Sequence, residues 1–246
     1  MECETSEAKI FQSNHLITAK YSLSLNEQRL YFLAGSCINP IDTDSHAHET
    51  VTITAEMWSS IFGQSVNTYR DIAAAADRLM HQPPIRFTAG PDANLKQVQW
   101  VTETEYVKGE GAVILTIPPT MKMHLITDFI EGGFTVTHLE DISDFRSAYS
   151  IRLYQFMKQH YRENFNKGWL RITVEELRNR LEIGEGMYER FADFKRRIIE
   201  PAVKEINKRS DYQVTWEIIK KVGRKVNTLE FTIKKIEEEK EVEEVA

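Results

Sequence analysis

The residues best placed to do chemistry in this chain are cations. Arg190, Lys195, Arg196, Arg197, Lys204 and Lys208 crowd one stretch, with Asn207 among them. At about 100° per residue, Phe191, Phe194, Ile198, Ala202 and Ile206 fall on one arc of a helix. Arg190, Arg196, Arg197, Lys204, Asn207 and Lys208 fall on the opposite arc. A core face and a basic face on one helix suit docking in the major groove. There arginine can bind guanine edges bidentately, while lysine mainly meets phosphates. Lys195 sits inside the apolar arc and reaches a groove only if the helix start is distorted. Pro201 interrupts the hydrogen-bond ladder and predicts a kink near Arg197. A solvated helix face would look the same if this helix stood alone.

Further on, Lys220, Lys221, Arg224 and Lys225 surround Gly223. Four cations at a hairpin tip make a phosphate clamp, or guard an edge against aggregation. Their place beside a basic helix favours the clamp. Asn67, Thr68 and Arg70 open a second, poorer helix, where base contacts of a recognition helix concentrate and where an ordinary cap is equally at home. Arg78 follows two turns later. Leu16, Leu23 and Leu30 recur every seven residues, but the run is short for a zipper and reads as core packing. His46 and His48 form a pair without a third metal ligand. Cys3 and Cys37 make no disulfide framework. There is no phosphate-binding glycine loop, nucleophile elbow or zinc-ligand spacing. Asp141 and Asp144 lack the spacing of a nuclease. We expect no catalytic residue, metal or cofactor.

The elements that must position the cations occur twice. Arg29-Leu30-Tyr31 precedes Ile53-Thr54-Ala55-Glu56, and Arg152-Leu153-Tyr154 precedes Ile172-Thr173-Val174-Glu175. The order predicted after each arginine is helix, strand, helix, helix, then strands. In the first copy these are 21–37, 51–53, 54–62, 67–80 and strands at 85–87, 98–107 and 113–117. In the second they are 145–161, 169–172, a capping-box helix 173–181, a long helix 188–209, and strands 214–219 and 226–233. That is the order of a winged helix. The fold class predicted is α+β, two tandem winged-helix domains related by internal duplication. The expected layout is an N-terminal arm (1–20), a first domain (21–131), a linker (132–143), a second domain (144–236) and a disordered acidic tail (237–246).

The net charge of −6 is unevenly divided. Residues 1–144 hold 9 Lys and Arg against 19 Asp and Glu, whereas residues 145–236 hold 21 against 12. The second half therefore suits a polyanion and the first half a protein partner. No stretch approaches the length of a membrane span, and the acidic start is no signal peptide. A reducing cytoplasm is the natural setting.

Gln12-Ser13-Asn14-His15-Leu16, Tyr21-Ser22-Leu23-Ser24 and Gln28-Arg29 resemble the N-terminal signature of the initiator replication proteins of iteron-containing bacterial plasmids. Tyr149-Ser150-Ile151-Arg152-Leu153-Tyr154 resembles the opening helix of that family's second domain. Phe194-Lys195-Arg196-Arg197, followed by Pro201-Ala202-Val203-Lys204-Glu205-Ile206-Asn207, resembles its recognition helix. The resemblance covers about residues 10–236. It implies monomers that bind direct repeats at an origin, and dimers that bind an inverted repeat and repress their own gene. It also implies a second domain that reads double-stranded DNA more strongly, and a first that pairs with another subunit. Host partners implied are the chromosomal initiator DnaA, the replicative helicase and chaperones that dissociate dimers. The alternative readings are a winged-helix repressor without an initiation role, an origin-nicking enzyme and a protein-binding scaffold.

Overall fold

A short device recurs at the end of one strand in each half. Ile53 and Ile172 are buried, and the next residue, Thr54 or Thr173, turns its hydroxyl back onto a helix. Thr54 Oγ1 accepts from the Met57 amide at 3.1 Å, and Thr173 Oγ1 accepts from the Glu176 amide at 3.1 Å. Each satisfies an amide that the first helical turn leaves without a partner. The computed structural model describes residues 8–39, 41, 47–87, 96–107, 109–125 and 133–236.

The first half runs β1 (Lys9–Ser13), α1 (Asn14–Thr18), α2 (Leu25–Ser36), β2 (Glu49–Thr54), α3 (Ala55–Phe62) and α4 (Thr68–His81). It continues with β3 (Ile85–Phe87), β4 (Lys96–Val98), β5 (Glu103–Val107), β6 (Ala112–Ile117) and α5 (Pro119–Lys122). The second half runs β7 (Phe134–His138), α6 (Leu139–Ser143), α7 (Ala148–His160), β8 (Gly168–Thr173), α8 (Val174–Arg180) and α9 (Phe191–Phe194). A π turn (Lys195–Ile199), α10 (Glu200–Arg209), β9 (Tyr212–Val222) and β10 (Lys225–Lys235) complete it. The main sheets have orders β2-β6-β5 and β8-β10-β9, all pairs antiparallel. In both, the first strand pairs with the last, which pairs with the middle one. The chain is thus two winged-helix domains built on one plan.

The expected arm carries a strand and a short helix. Residues 9–13 pair with residues 134–138 of the expected linker, and Ile10, Gln12, Leu16 and Ile17 are fully buried. These two segments form a small sheet between the domains, closed by Gln155 Nε2 donating to Gln12 Oε1 at 2.7 Å. The predicted first helix also starts later. Ser24 and Glu27 make a reciprocal capping box that sets its start at Leu25, leaving residues 21–24 outside the helix. Leu16, Leu23 and Leu30 lie in three different segments and are all buried, as core packing requires. The strand expected over 98–107 is split, because Trp100 and Val101 turn into the core between β4 and β5.

Candidate nucleic-acid interface

The basic helix begins three residues later than its periodicity suggests. Tyr188 takes φ +49° and cannot sit in a right-handed turn, so Arg190 becomes the N-cap residue of α9. Arg178 on α8 holds this entry. It donates from Nη1 to the Tyr188 carbonyl at 2.8 Å and from Nη2 to the Met187 carbonyl at 2.5 Å. No motif marks Arg178, and the sequence reading missed it. Pro201 lacks the amide that would bond the Arg197 carbonyl, and the chain upstream widens into the π turn, where the Glu200 amide bonds the Lys195 carbonyl. The wider turn buries both Ile198 and Ile199.

That distortion decides where the cations point. Arg196, Arg197, Lys204 and Lys208 are exposed along one side, as is Arg190 at the entry. Arg196 makes a 3.0 Å ion pair with Asp193 three residues before it. Arg197, Lys204 and Lys208 have no carboxylate partner among the described residues. Lys195 is engaged within the domain, 3.2 Å from Glu200 and with its Nζ 5.5 Å from the centre of the Trp216 ring. Asn207 is exposed and also engaged within the domain. Its Oδ1 accepts from the Val214 amide at 2.6 Å and its Nδ2 donates to the Val214 carbonyl at 2.9 Å. A side-chain amide held at both ends by a strand clamps α10 to β9.

The hairpin is longer than predicted. β9 and β10 carry Lys220, Lys221 and Lys225 as strand residues, and the turn itself is Gly223-Arg224, with Gly223 at φ +57°. All four cations are exposed without a carboxylate partner among the described residues. In the first domain Arg70 is exposed near the start of α4. Asn67 is the N-cap residue, but its side chain caps nothing. Thr68 is buried, and its hydroxyl accepts from the Ser65 amide and donates to the Ser65 carbonyl, so it locks the turn before α4. Arg78 turns away, 3.4 Å from the buried Glu27. No three His, Cys, Asp or Glu side chains among the described residues form a metal site, and no described helix is long and apolar enough to cross a membrane. His46 and Cys3 lie outside the described residues.

Residues 9–158 match the family model described as the first winged-helix module of the initiator replication proteins, and residues 173–233 match the second module. The chain belongs to the initiator replication protein family. Its relatives include a replication initiation protein of Escherichia coli, 21% identical over 230 residues, or 93% of this chain and 70% of that protein. The PI protein of Escherichia coli is 29% identical over 172 residues, 65% of this chain and 55% of that protein. Among solved structures, the fold matches that of the Pi initiator protein in complex with iteron DNA, with a TM-score of 0.80 at 22% identity, over 96% of this chain and 100% of that one. The initiator family's first module takes in β1, β7 and α7. The strand pair between the domains is therefore part of the shared fold.

Proposed function

We propose that this chain initiates plasmid replication by binding tandem direct repeats of an origin sequence-specifically as a monomer. As a dimer it represses its own gene. The observation that carries the reading is the row Arg196, Arg197, Lys204 and Lys208 on a helix beside a wing holding Lys220, Lys221, Arg224 and Lys225. The likeness to an initiator solved with iteron DNA supports it. In this reading residues 144–236 are the main double-stranded DNA reader. Residues 21–131 supply subunit pairing and a lighter contact through Arg70. Binding energy, rather than bond chemistry, bends or opens the duplex. Host chaperones dissociate the dimers, and the host DnaA and replicative helicase act on the assembled origin, in the cytoplasm.

Footprinting the purified protein on the DNA beside its gene tests this. Protection of several direct repeats, each about two helical turns long, supports initiation. Protection of a single palindrome, with no replication from a plasmid carrying that DNA, reassigns the chain as a repressor.

A further inference from the structure

Phe194, Ala202 and Ile206 are the buried anchors of the basic helix. On a continuous α-helix Phe194 and Ala202 would lie about 80° apart. The π turn between them takes in one extra residue, worth about 100°, and brings them to within about 20°. The helix is not broken there, since Phe194, Lys195, Ile199 and Glu200 all keep right-handed dihedrals. Three features favour the wide turn. Pro201 offers no amide to the Arg197 carbonyl. Ile199 is 1% exposed, a burial denied to it on a continuous α-helix that turns Phe194 and Ile198 inward. Lys195 and Glu200 form an ion pair at 3.2 Å, and their five-residue spacing stacks side chains on a π turn but splays them on an α turn. Both ends are held from outside. Arg178 lies 5.2 Å from the centre of the Phe194 ring and holds the Tyr188 carbonyl, while Asn207 grips Val214.

We propose that this π turn sets the reading register of the basic helix, with Pro201 and Ile199 as positioning residues that decide which bases Arg196 and Arg197 meet. The proposal rests on the reading of this helix as the part that docks on the origin repeats. Arg196 and Arg197 lie within the turn, and Lys204 and Lys208 lie beyond it. With the extra residue in place, all four are exposed along one side. When the turn narrows to α geometry, the two arginines rotate against the two lysines by a large part of one residue's turn. A bidentate arginine–guanine pair depends on a planar fork aimed at the base edge, so it does not survive that rotation. A lysine acts on phosphate as a point charge and tolerates it. The device therefore acts on base preference more than on affinity for DNA in general. Pro201 is exposed, so its replacement by alanine empties no buried space.

The test is competition binding by the full chain at a temperature where every variant is folded. The probes are a duplex carrying one site protected in the footprint, its single-base variants and a random duplex. Pro201→Ala restores an amide to the Arg197 carbonyl, and Ile199→Ala removes the side chain that the wide turn buries. Each is expected to lower affinity for the site about tenfold or more, to keep affinity for the random duplex within about twofold, and to change which single-base variants are tolerated. Ile198→Ala is the control. Ile198 faces inward in either register, so this variant melts at a lower temperature and keeps the parent's base preference. The proposal is overturned if Pro201→Ala or Ile199→Ala keeps the parent's preference, if Ile198→Ala changes it in the same way, or if the losses on site and random duplex are equal. With a parent that discriminates between the two duplexes, those outcomes leave the functional reading standing. A parent that does not discriminate overturns both.

Discussion

Arg29 and Arg152 occupy the same place in two copies of one helix, and each ties down the segment that leads into the other copy. Arg29 Nη2 donates to the Ser143 and Phe145 carbonyls, just before α7. Arg152 Nη2 donates to the Ala19 carbonyl, ahead of α2. The duplicated Arg-Leu-Tyr is therefore a reciprocal staple between domains. Hydrogen bonds to charged groups contribute about 1.5–3 kcal/mol each. Arg152→Ala is expected to destabilise the fold by about 3 kcal/mol, since it also empties a packed site. The half-buried Arg29→Ala is expected to cost about 1–2 kcal/mol. Urea titration measures both, and equal, negligible losses would remove the staple.

Much of this architecture was legible from local chemistry. Ile-Thr-x-Glu states its own role, a last core residue followed by a cap, and the structure has that role at both Thr54 and Thr173. Gly63 at φ +84° ends α3 where expected. The pairing of residues 9–13 with 134–138 was not legible, because five-residue strands carry little periodicity and their partners are far apart in the chain. The basic arc was right in composition but not in geometry. A 100° wheel cannot represent a π turn, so it buries Lys195 and misses Ile199. Asn207 shows a further limit: its partner Val214 lies on a strand whose position the helix pattern does not contain.

Arg197→Ala and Arg196→Ala are expected to weaken binding to the origin repeats by about 1–3 kcal/mol each and relax sequence preference. Arg197 is the more informative, since Arg196 shares its charge with Asp193. Asn207→Ala should act differently. It removes the clamp to Val214, so it lowers stability by about 1–2 kcal/mol while the folded protein keeps its base preference. Competition binding with single-base variants of the repeat separates the two. A changed base preference in Asn207→Ala would return that residue to the reading face.

Stability should fall in acid through His124. Burial first, then the charges of Lys96 and His15, hold its pKa down at about 4 instead of 6.5, and the Ser13 hydroxyl lies 2.8 Å from Nδ1. The neutral ring is the folded form. The unfolded chain therefore takes up a proton first as pH drops. This contribution is complete above about pH 6.5 and is lost progressively down to about pH 4. Its size is about 3 kcal/mol, from 1.36 kcal/mol per pKa unit. Urea midpoints at pH 7, 5.5 and 4 should decline, and His124→Gln should flatten that decline. An identical profile in the variant would assign the acid sensitivity elsewhere.

The wing makes the final separable contribution. Lys220, Lys221, Arg224 and Lys225 are exposed on β9, the turn and β10, with no internal carboxylate to compete for them among the described residues. Each phosphate a cation neutralises adds about 0.9 to the slope of log affinity against log salt. Replacing all four by glutamine is expected to reduce that slope by up to about 3.6. Affinity should drop on specific and random DNA alike, because phosphate contacts carry no sequence information. Titration over a range of salt, with a repeat-bearing duplex and a scrambled one, measures both quantities. An unchanged slope places the hairpin off the DNA. A loss confined to the repeat-bearing duplex would make the wing a base reader instead of a clamp.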